Sequence, residues 1–514
     1  MNSSEYVVDV PYLRTFMAEL GPSRLRLVAA LNGFPCPPAE EFEYCDLGAG
    51  QGDTTATLAA AYPRARFMGI DINREHVEAA RELARGGGLE NATFLELDFA
   101  DAGQEDLPRF DYIVAHGVAS WIGPETRAAL FSLVSDRLKP GGLFYVGYNA
   151  LPGWAAVEPL RRILADRAAA VQGDSLERAR QALQLASQLA GAGAAYFTGN
   201  PSAREMLDVM QKTGLPYVVY EYLQPHWTPM YFADLARELA ARELYYVGQM
   251  PLYLNYRDLA LAPPMAQLLQ GVEDRVTYET LLGYANNQFF RRDVYIKGKV
   301  AAAPSATQAW LDATPFGAIS PGALPRTARL PHYTLQLAGP VFDALLPTFE
   351  QGAFTVGGLL ERPELSPFGG QTLRDAILRL LIAGLVSPVL RPTRTPSASR
   401  GPLGIASQYN RWLLQRRLDP QLPIALASQV AGTGVELSML QAVALRLLTE
   451  VEPDERPAWI RALARRQPFR LKIGDRAIDG DEDLVLTLLT IAEDMRARQV
   501  PKLLELGVLE QQPS

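Results

Sequence analysis

The sequence predicts an α/β fold with a doubly wound, Rossmann-like parallel sheet, followed by mainly helical domains. Residues 42–47 have the composition of a short buried strand, and an Ala-rich helical stretch follows at 54–62. Strand and helix patterns then alternate as far as residue 147. This order predicts a parallel sheet whose ligand lies beyond the carboxyl ends of its strands. The first strand and helix are joined by glycines at alternate positions: Gly48, Gly50 and Gly52.

Composition bounds the class of protein. A chain of 514 residues is long enough for two to four domains. The formal net charge of −8 argues against nucleic acid as a partner. Two cysteines, Cys36 and Cys45, are too few for a zinc site, and no His, Cys and Asp cluster has metal-ligand spacing, so we expect no metal. The polar start and the absence of a long apolar run predict neither a signal peptide nor membrane insertion, and therefore a cytoplasmic location.

The other elements of the sheet domain follow from local patterns. Residues 1–41 have a helical pattern that a proline cluster ends before the first strand. Asn73 is a predicted N-cap for a helix that ends near Arg85, and another helix is predicted at 124–138. The remaining strands of the alternating region are predicted at 67–71, 93–97, 112–115 and 143–147.

The alternation of strands and helices stops after residue 154. Helical patterns predict insertions at about 155–225 and 250–285. Strand patterns return at 244–248 and 289–297, and we expect these two runs to complete the sheet. An insertion that directly follows a sheet strand would lie over the ligand end and shape the substrate entrance.

The predicted domains are a first domain at 1–300, a winged-helix-like domain at 305–395 and a C-terminal helical domain at 405–514. Three helical patterns after residue 333, closed by a glycine and a strand, are typical of a winged-helix module. A linker rich in Pro, Ser and Arg follows at 391–404. The chain ends in a similar helix–Gly–strand pattern, so a second winged-helix-like module and a plain helical lobe are equal alternatives for the last domain.

The glycine turn is more typical of S-adenosylmethionine (SAM) than of a dinucleotide. The dinucleotide fingerprint has Gly where this chain has Asp53. The strand also ends in the carboxylate of Asp46, which would repel a phosphate but attract an amino or sulfonium group. Glycines let the backbone approach a ligand, and a helix N-terminus offers N–H groups. The predicted cofactor-binding residues of this turn are Asp46, Gly48, Ala49, Gly50 and Gly52.

Further acids stand at consecutive strand ends. Asp71 ends the second strand, 25 residues after Asp46, where a carboxylate accepts the ribose hydroxyls. Asp98 ends the third strand, where it can accept the adenine amino group while the following aromatic ring lies against the base. The cofactor-binding residues predicted beyond the turn are Asp71, Ile72, Asp98, Phe99 and His116. We expect His116 to be a hydrogen-bonded residue beside the cofactor rather than a general base.

The ends of the fourth and fifth strands supply candidates for the methyl acceptor side. Methyl transfer needs alignment and a desolvated pocket more than an acid. Tyr148 and Asn149 can orient a nucleophile, so both are predicted catalytic residues. Aromatic rings can face a cationic donor or amine, with plain packing as an equal alternative for the two tryptophans. The predicted substrate-binding residues are Tyr12, Trp121, Pro152 and Trp154.

Residues 1 to about 297 resemble the SAM-dependent methyltransferases that carry a methyltransferase regulatory domain, a family that includes bacterial protein-lysine methyltransferases. The resemblance implies a class I methyltransferase fold, a regulatory-domain signature at about 214–297, and an acceptor bordered by the 148–154 loop. It also implies SAM contacts at Asp46, Gly48, Asp71 and Asp98. The sequence departs from the family where Ala119 replaces a frequent Tyr and Tyr220 a frequent His. The matching stretches are 46–52, 69–71, 116–118 with 120–121, 139–142, 148–149 with 151–154, 221–223 with 231–232, and 291–293.

The function predicted from these residues is methyl transfer from SAM to an acceptor amine, a lysine side chain of a protein substrate. Two alternatives stay open at this point. One is a methyltransferase for a small molecule, with the helical insertions as its lid. The other is a SAM-sensing regulator without catalysis, whose C-terminal modules bind a partner.

Overall fold

A computed structural model of the chain shows that the glycine turn joins the first strand of a central sheet to the helix that follows. The structure describes residues 14–320, 322–393, 401–416, 422–466, 472–473, 476–477 and 480–512. In these residues the central sheet has eight strands in the order β3-β2-β1-β4-β5-β8-β7, with β6 beside β5. The strands are β1 (Glu43–Leu47), β2 (Arg66–Asp71), β3 (Ala92–Glu96), β4 (Phe110–His116), β5 (Leu138–Leu151), β6 (Met230–Tyr231), β7 (Leu244–Gln249) and β8 (Phe290–Lys297).

The predicted doubly wound sheet is confirmed. Strands β1 to β5 pair in parallel, and β8 lies antiparallel between β5 and β7. The two late runs of strand pattern therefore complete the sheet, as expected. Strand β5 continues past the end of β4, so that Tyr148 stands opposite Arg291 of β8. This extension carries the predicted acceptor-side residues away from the carboxyl ends of the other strands.

The helices of this domain cover the sheet and form the predicted insertions. Asn73 caps α3 as predicted, since its side chain accepts the N–H groups of Glu75 and His76. The insertion that follows β5 has its own apolar core, built by α5, α6, α8 and α9. The helices are α1 (Pro22–Leu31), α2 (Asp53–Ala61), α3 (Arg74–Gly87), α4 (Pro124–Arg137), α5 (Glu158–Ala169), α6 (Ser175–Gly191), α7 (Ala195–Thr198), α8 (Pro201–Thr213), α9 (Leu215–Tyr222), α10 (Phe232–Ala240), α11 (Arg257–Ala260), α12 (Pro263–Leu268) and α13 (Arg275–Ala285).

A second unit follows at residues 304–388. Helices α15 to α17 bury a common core that includes Leu345, Leu373 and Ile377. The closing strand is only two residues long, and its partner β9 precedes the three helices. The winged-helix assignment stays a prediction. The elements are α14 (Pro304–Ala313), β9 (Phe316–Gly317), β10 (Thr327–Arg329), β11 (Thr334–Gln336), α15 (Pro340–Glu350), α16 (Val356–Leu360), α17 (Gly369–Ile382) and β12 (Ser387–Pro388).

Besides its helices and the predicted terminal strand, the last unit contains strands that the sequence did not predict. Strands β14 and β15 form a hairpin, and β13 pairs with β18. All five residues of β14 are buried, and a short apolar run without alternation does not distinguish a strand from a helix. The elements are β13 (Leu403–Ile405), α18 (Gln408–Arg416), β14 (Ile424–Ser428), β15 (Thr433–Leu437), α19 (Met439–Glu450), α20 (Arg456–Arg466), β16 (Lys472–Ile473), β17 (Arg476–Ala477), α21 (Asp481–Arg498), α22 (Val500–Glu505) and β18 (Leu509–Gln511).

The last unit packs against the helix that follows the glycine turn. The Tyr409 hydroxyl lies 2.8 Å from Thr57 Oγ1 of α2, and both residues are buried. Trp412 of α18 packs closely against Gly86 of α3, since a Cβ atom added to Gly86 would come within 2.2 Å of the Trp412 ring. Helix α2 lies between the central sheet and the last unit, and its residues from Thr54 to Ala61, mostly Ala and Thr, are all buried. Among the helices of the described ranges, none has the length and apolar character that crossing a membrane requires.

Candidate active site

A cavity with about 1250 Å³ of empty space, part of it open to solvent, lies at the carboxyl ends of β1, β2 and β4. Its position matches the rule that open α/β sheets bind ligands beyond the ends of their parallel strands. The structure brings most of the predicted cofactor residues and one predicted substrate residue together around it. The predicted residues that line the cavity are Asp46, Gly48, Ala49, Gly50, Asp71, Ile72, Asp98, Phe99, His116 and Trp121.

The glycine turn forms the floor of the cavity. Gly50 has a φ of +54°, and no described atom lies within 4 Å of the position that its Cβ would occupy. At Gly48 an added Cβ would come within 2.2 Å of Val118. Gly52 differs, because a Cβ there would meet Ala80 of α3 at 2.6 Å and the described lining does not include it. Gly52 thus packs two helices together, and its predicted contact with the cofactor stays a prediction.

The carboxylate of Asp71 is fixed by the backbone around it. One oxygen accepts the N–H of Gly50 at 2.8 Å, and the other accepts the N–H of Asn73 at 2.8 Å. Each carboxylate oxygen has a second lone pair for a further donor. The side chain of Ile72, which is 46% exposed, follows directly. This arrangement presents an oriented acceptor beside an apolar surface, which suits a ribose and an adjoining base.

Asp46 is the most deeply buried acid of the cavity. Burial raises the pKa of its carboxyl to about 7, while the hydroxyl of Thr55, which donates to Oδ2 at 2.6 Å, lowers the pKa and the negative charge of Asp71 raises it. A positively charged group in the cavity favours the ionised form of such a carboxyl. The position therefore suits the amino or sulfonium group of the cofactor, as predicted from the sequence.

His116 lines the cavity and is hydrogen-bonded within the protein. Its Nδ1 lies 2.8 Å from the hydroxyl of Tyr145. Burial lowers the pKa of His116 to about 4, with an opposing contribution from Glu19 and a small further lowering from Arg292. The imidazole is therefore neutral near pH 7 and a weak proton acceptor. This geometry agrees with the predicted supporting role rather than with a general base.

The residues predicted for the acceptor side mostly lie elsewhere. The hydroxyl of Tyr148, a fully buried residue, donates to Asp293 Oδ2 at 2.7 Å. The backbone N–H of Asn149 donates to Ser120 Oγ at 2.8 Å. Trp154 packs edge-on against Trp227, with ring centroids 4.8 Å apart. The described lining of the cavity includes none of Tyr148, Asn149, Pro152 and Trp154.

These positions bear on the catalytic and substrate-binding roles that the sequence predicts for the acceptor side. A Tyr148 hydroxyl that donates to a buried carboxylate is directed away from an amine in the cavity, so the geometry gives no support to its catalytic role. The roles of Tyr148 and Asn149 stay predictions. Trp154 also packs against Phe289, with ring centroids 5.7 Å apart, and its role in substrate binding stays a prediction. Tyr12 lies outside the described residues.

The structure adds cavity residues that sequence reasoning missed. Met17 belongs to an N-terminal segment that covers the cavity, where its N–H donates to Thr54 Oγ1 at 3.0 Å. The insertion contributes His226, on a segment held by the Thr228 N–H to the Ser120 carbonyl at 2.8 Å. The predicted place of the insertion over the ligand end agrees with this contact. The added lining residues are Thr15, Met17, Leu20, Gln51, Asp53, Thr54, His76, Leu97, Val118, Ile122, Gly123, Thr126 and His226.

The small number of histidines in the chain is a sequence signal that could have identified two of these residues, His76 and His226. The chain has four histidines, all in the described part, and His76, His116 and His226 line the same cavity. The fourth, His332, lies elsewhere and is 3.0 Å from Asn286 Oδ1. Such a concentration of a rare residue at one cavity is informative because imidazole both donates and accepts hydrogen bonds.

The residues of the cavity fit SAM. Gly50 leaves a backbone surface open to a ligand, and Asp46, Asp71 and Asp98 supply acceptors of the kind that the hydroxyl, amino and cationic groups of SAM require. His76 is buried, and among the described residues neither of its ring nitrogens has a hydrogen-bond partner. Buried polar groups without partners are uncommon and indicate that a ligand or solvent completes the site.

Comparison with protein families identifies two domains. Residues 45–144 match a family described as a methyltransferase domain, and residues 215–297 match one described as a predicted methyltransferase regulatory domain. The second match covers β6, α10, β7, the second insertion and β8. The predicted resemblance to methyltransferases with a regulatory domain is thereby confirmed.

Comparison with individual proteins extends over nearly the whole chain. The Synechocystis protein sll1526 is 28% identical over 506 residues, which are 98% of this chain and 99% of that protein. The Rickettsia prowazekii protein RP789 is 25% identical over 288 residues, 55% of this chain and 51% of that protein. The structure of PKMT2 from Rickettsia typhi, in complex with AdoHcy, has a TM-score of 0.72 at 18% identity and covers 95% of this chain and 99% of that chain. This likeness shows that the fold is shared.

The predicted fold and cofactor are therefore confirmed. The chain contains a methyltransferase domain and a methyltransferase regulatory domain, and it shares the fold of PKMT2.

Proposed function

We propose that the protein transfers a methyl group from SAM to the side-chain amine of lysine residues in a protein substrate. The observation that carries this proposal is the likeness to PKMT2, a bacterial protein-lysine methyltransferase, which extends through the last two units of the chain. A protein acceptor explains why a methyltransferase sheet is followed by more than 200 further residues.

The chemistry of the cavity supports an amine acceptor. A lysine amine has an ordinary pKa of about 10.4 and must lose a proton before it can attack. A desolvated, neutral surrounding lowers that pKa, because burial disfavours the ammonium form. Trp121 and Ile122 supply apolar surface at the cavity, and His116 beside them is neutral near pH 7. These residues therefore favour the unprotonated amine.

The cofactor is held by the acids and the glycine turn. We assign the ribose to Asp71, the adenine to Asp98 and Phe99, and the cationic end to Asp46. When bound, SAM supplies an electrophilic methyl group on a sulfonium. The segment with Met17 and the segment with His226 cover the cavity and exclude water, which strengthens electrostatic interactions inside it.

The partners and the location follow from the same proposal. The net charge of −8 favours a protein over a nucleic acid as the substrate. Helix α17, the third helix of the winged-helix-like unit, carries Arg374 and Arg379 against Asp375, and Arg374 is already paired with Asp312 at 2.9 Å. A helix that follows DNA phosphates normally carries more free positive charge. We assign the reaction to the cytoplasm.

Radiolabelled SAM and a cell lysate test the acceptor class. The full-length protein is incubated with both, and the products are separated by size and acid-hydrolysed. We expect label in protein bands and in methylated lysine after hydrolysis. A lysate whose lysines have first been blocked by reductive dimethylation is the matched control and should lose most of the label. Label in small metabolites would favour the small-molecule alternative, and no label beyond an Asp71→Ala control would favour the non-catalytic one.

A further inference from the structure

His76 differs from the other two histidines of the cavity. His116 is bonded to Tyr145, and His226 is partly exposed at the rim. The side chain of His76 is only 5% exposed, yet neither ring nitrogen makes a hydrogen bond to any described residue. An imidazole always carries at least one N–H donor, so burial without a partner is unfavourable. Its remaining partner must come from the cavity that it lines.

The nearest polar group does not satisfy His76. Nδ1 lies 3.6 Å from Asp71 Oδ1, which is beyond the distance of a hydrogen bond. That oxygen already accepts the N–H of Asn73, and the other oxygen accepts the N–H of Gly50. The two side chains therefore lie next to each other at one edge of the cavity, with the carboxylate held by the backbone.

A vicinal diol matches this pair. A carboxylate only accepts hydrogen bonds, whereas a neutral imidazole both donates and accepts. Each ribose hydroxyl also donates and accepts, so a diol can donate to Asp71 and exchange a hydrogen bond with His76. We infer that His76 is a second contact to the ribose of the cofactor and that it joins the ribose to the helical insertion. Nothing in the acidic pattern of strand ends predicts this contact.

The link to the insertion comes from Tyr220. This residue of α9 is 1% exposed, and its ring centroid lies 6.5 Å from that of His76, with the planes inclined by 36°. Tyr220 is part of the apolar core of the insertion. A ribose that holds the His76 ring in one orientation therefore also orders the face of α9 that carries Tyr220. The inference rests on SAM as the cofactor and is independent of the acceptor.

Calorimetry with S-adenosylhomocysteine tests the contact in the full-length protein. We expect His76→Ala to weaken binding by about 3- to 10-fold, the scale of one hydrogen bond. His76→Gln, which keeps a donor and an acceptor, should recover part of that loss. His332→Ala removes the histidine outside the cavity and should bind like wild type. Unchanged affinity of His76→Ala overturns the inference, and His76→Phe, which keeps a ring but has no hydrogen-bonding group, gives the same test if His76→Ala does not fold.

Ribose-modified ligands distinguish a contact from an indirect effect. The 2′-deoxy and 3′-deoxy forms of S-adenosylhomocysteine each lack one hydroxyl. The fold-loss caused by His76→Ala should shrink for the form that lacks the contacted hydroxyl. An equal loss with all three ligands would overturn the ribose contact. Failure of the wild-type protein to bind S-adenosylhomocysteine would instead contradict the cofactor assignment itself.

Hydrogen exchange tests the link to the insertion. At saturating S-adenosylhomocysteine, amide exchange should slow in both the glycine turn and α9 of the wild-type protein. In His76→Ala, also at saturation, the slowing in the turn should persist and that in α9 should decrease. Equal slowing in α9 of both proteins would show that the cofactor does not act on the insertion through His76.

Discussion

Two clusters of buried polar side chains lie near the central sheet, and they differ in how their groups are paired. In the ion cluster, Arg291 lies 3.0 Å from Glu279 and from Asp293, and Arg275 lies 3.0 Å from the other oxygen of Glu279. The hydroxyl of Tyr148 completes it by donating to Asp293. In the cavity, Asp46, Asp71 and His76 keep lone pairs or ring nitrogens that the described protein atoms do not use.

This difference in pairing shows which buried polar groups indicate a ligand site. A charged group whose partners all come from the same chain is neutralised before any ligand arrives, and it holds elements together. Here the ion cluster ties α13 of the second insertion to β8 and β5. Groups that face a cavity with unused hydrogen-bonding capacity are completed by a ligand. The same contrast separates Tyr148, whose hydroxyl already has a partner in the protein, from His76, which the sequence did not single out.

The largest effect is expected in the ion cluster. Arg291→Ala leaves the buried carboxylate of Asp293 without a cation and leaves Glu279 with Arg275 alone. Breaking such a buried pair costs about 3–5 kcal/mol of unfolding free energy. Chemical denaturation monitors the change. Arg237→Ala removes one member of an exposed pair with Asp234, 3.0 Å apart, and should change stability by less than about 1 kcal/mol. Equal effects of the two substitutions would contradict the structural role of the cluster.

A pH-dependent effect is expected at Asp46. Because burial raises its pKa to about 7, the native state binds one more proton than the unfolded state between pH 4 and 7. The unfolding free energy contributed by Asp46 is full below pH 4 and lost as pH rises to about 7, by up to about 4 kcal/mol. The low pKa of His116 acts in the opposite direction, so we compare wild type with Asp46→Asn at each pH. A constant difference across this range would contradict the prediction.

A loss of cofactor affinity is expected for Asp71. Asp71→Ala removes the acceptor of the ribose hydroxyls and should weaken SAM binding about 10- to 100-fold, since hydrogen bonds to charged groups contribute about 1.5–3 kcal/mol each. Calorimetry measures the affinity, and circular dichroism checks the fold. Arg237→Ala serves again as the control and should bind SAM like wild type. Wild-type affinity in a folded Asp71→Ala protein would exclude this residue as a ligand.

The smallest effect is expected for Tyr148→Phe, and this substitution tests the role of the Tyr148 hydroxyl. If the hydroxyl only supports the ion cluster, Tyr148→Phe should lower stability by about 1 kcal/mol and leave turnover nearly unchanged, because Asp293 keeps its bonds to Arg291. The catalytic role predicted from the sequence requires the reverse: unchanged stability and turnover lowered about 10- to 1000-fold. Melting temperature and a methylation assay distinguish the two. The second result would place Tyr148 at the acceptor after all.

The sequence alone predicted the sheet, the cofactor and many of the residues that line the cavity, because these depend on local features. A strand, a glycine turn and a capped helix are short-range patterns, and acids at strand ends converge in any parallel sheet. For this reason Asp46, Asp71 and Asp98 could be assigned before their surroundings were known. The β14–β15 hairpin was not predicted, because its apolar run has no alternation and its burial comes from contacts with α2.

The tertiary structure alone decided which side chains face the cavity beyond those strand ends. Tyr148 and Asp293 are 145 residues apart in the chain, and no local pattern predicts that they share a hydrogen bond. His76 and His226 reach one cavity from a sheet-domain helix and from an insertion that folds back over it. Side-chain direction at such positions is set by long-range packing and by the partners that packing supplies. The hydrophobic period of the sequence determines only whether a segment forms a helix or a strand.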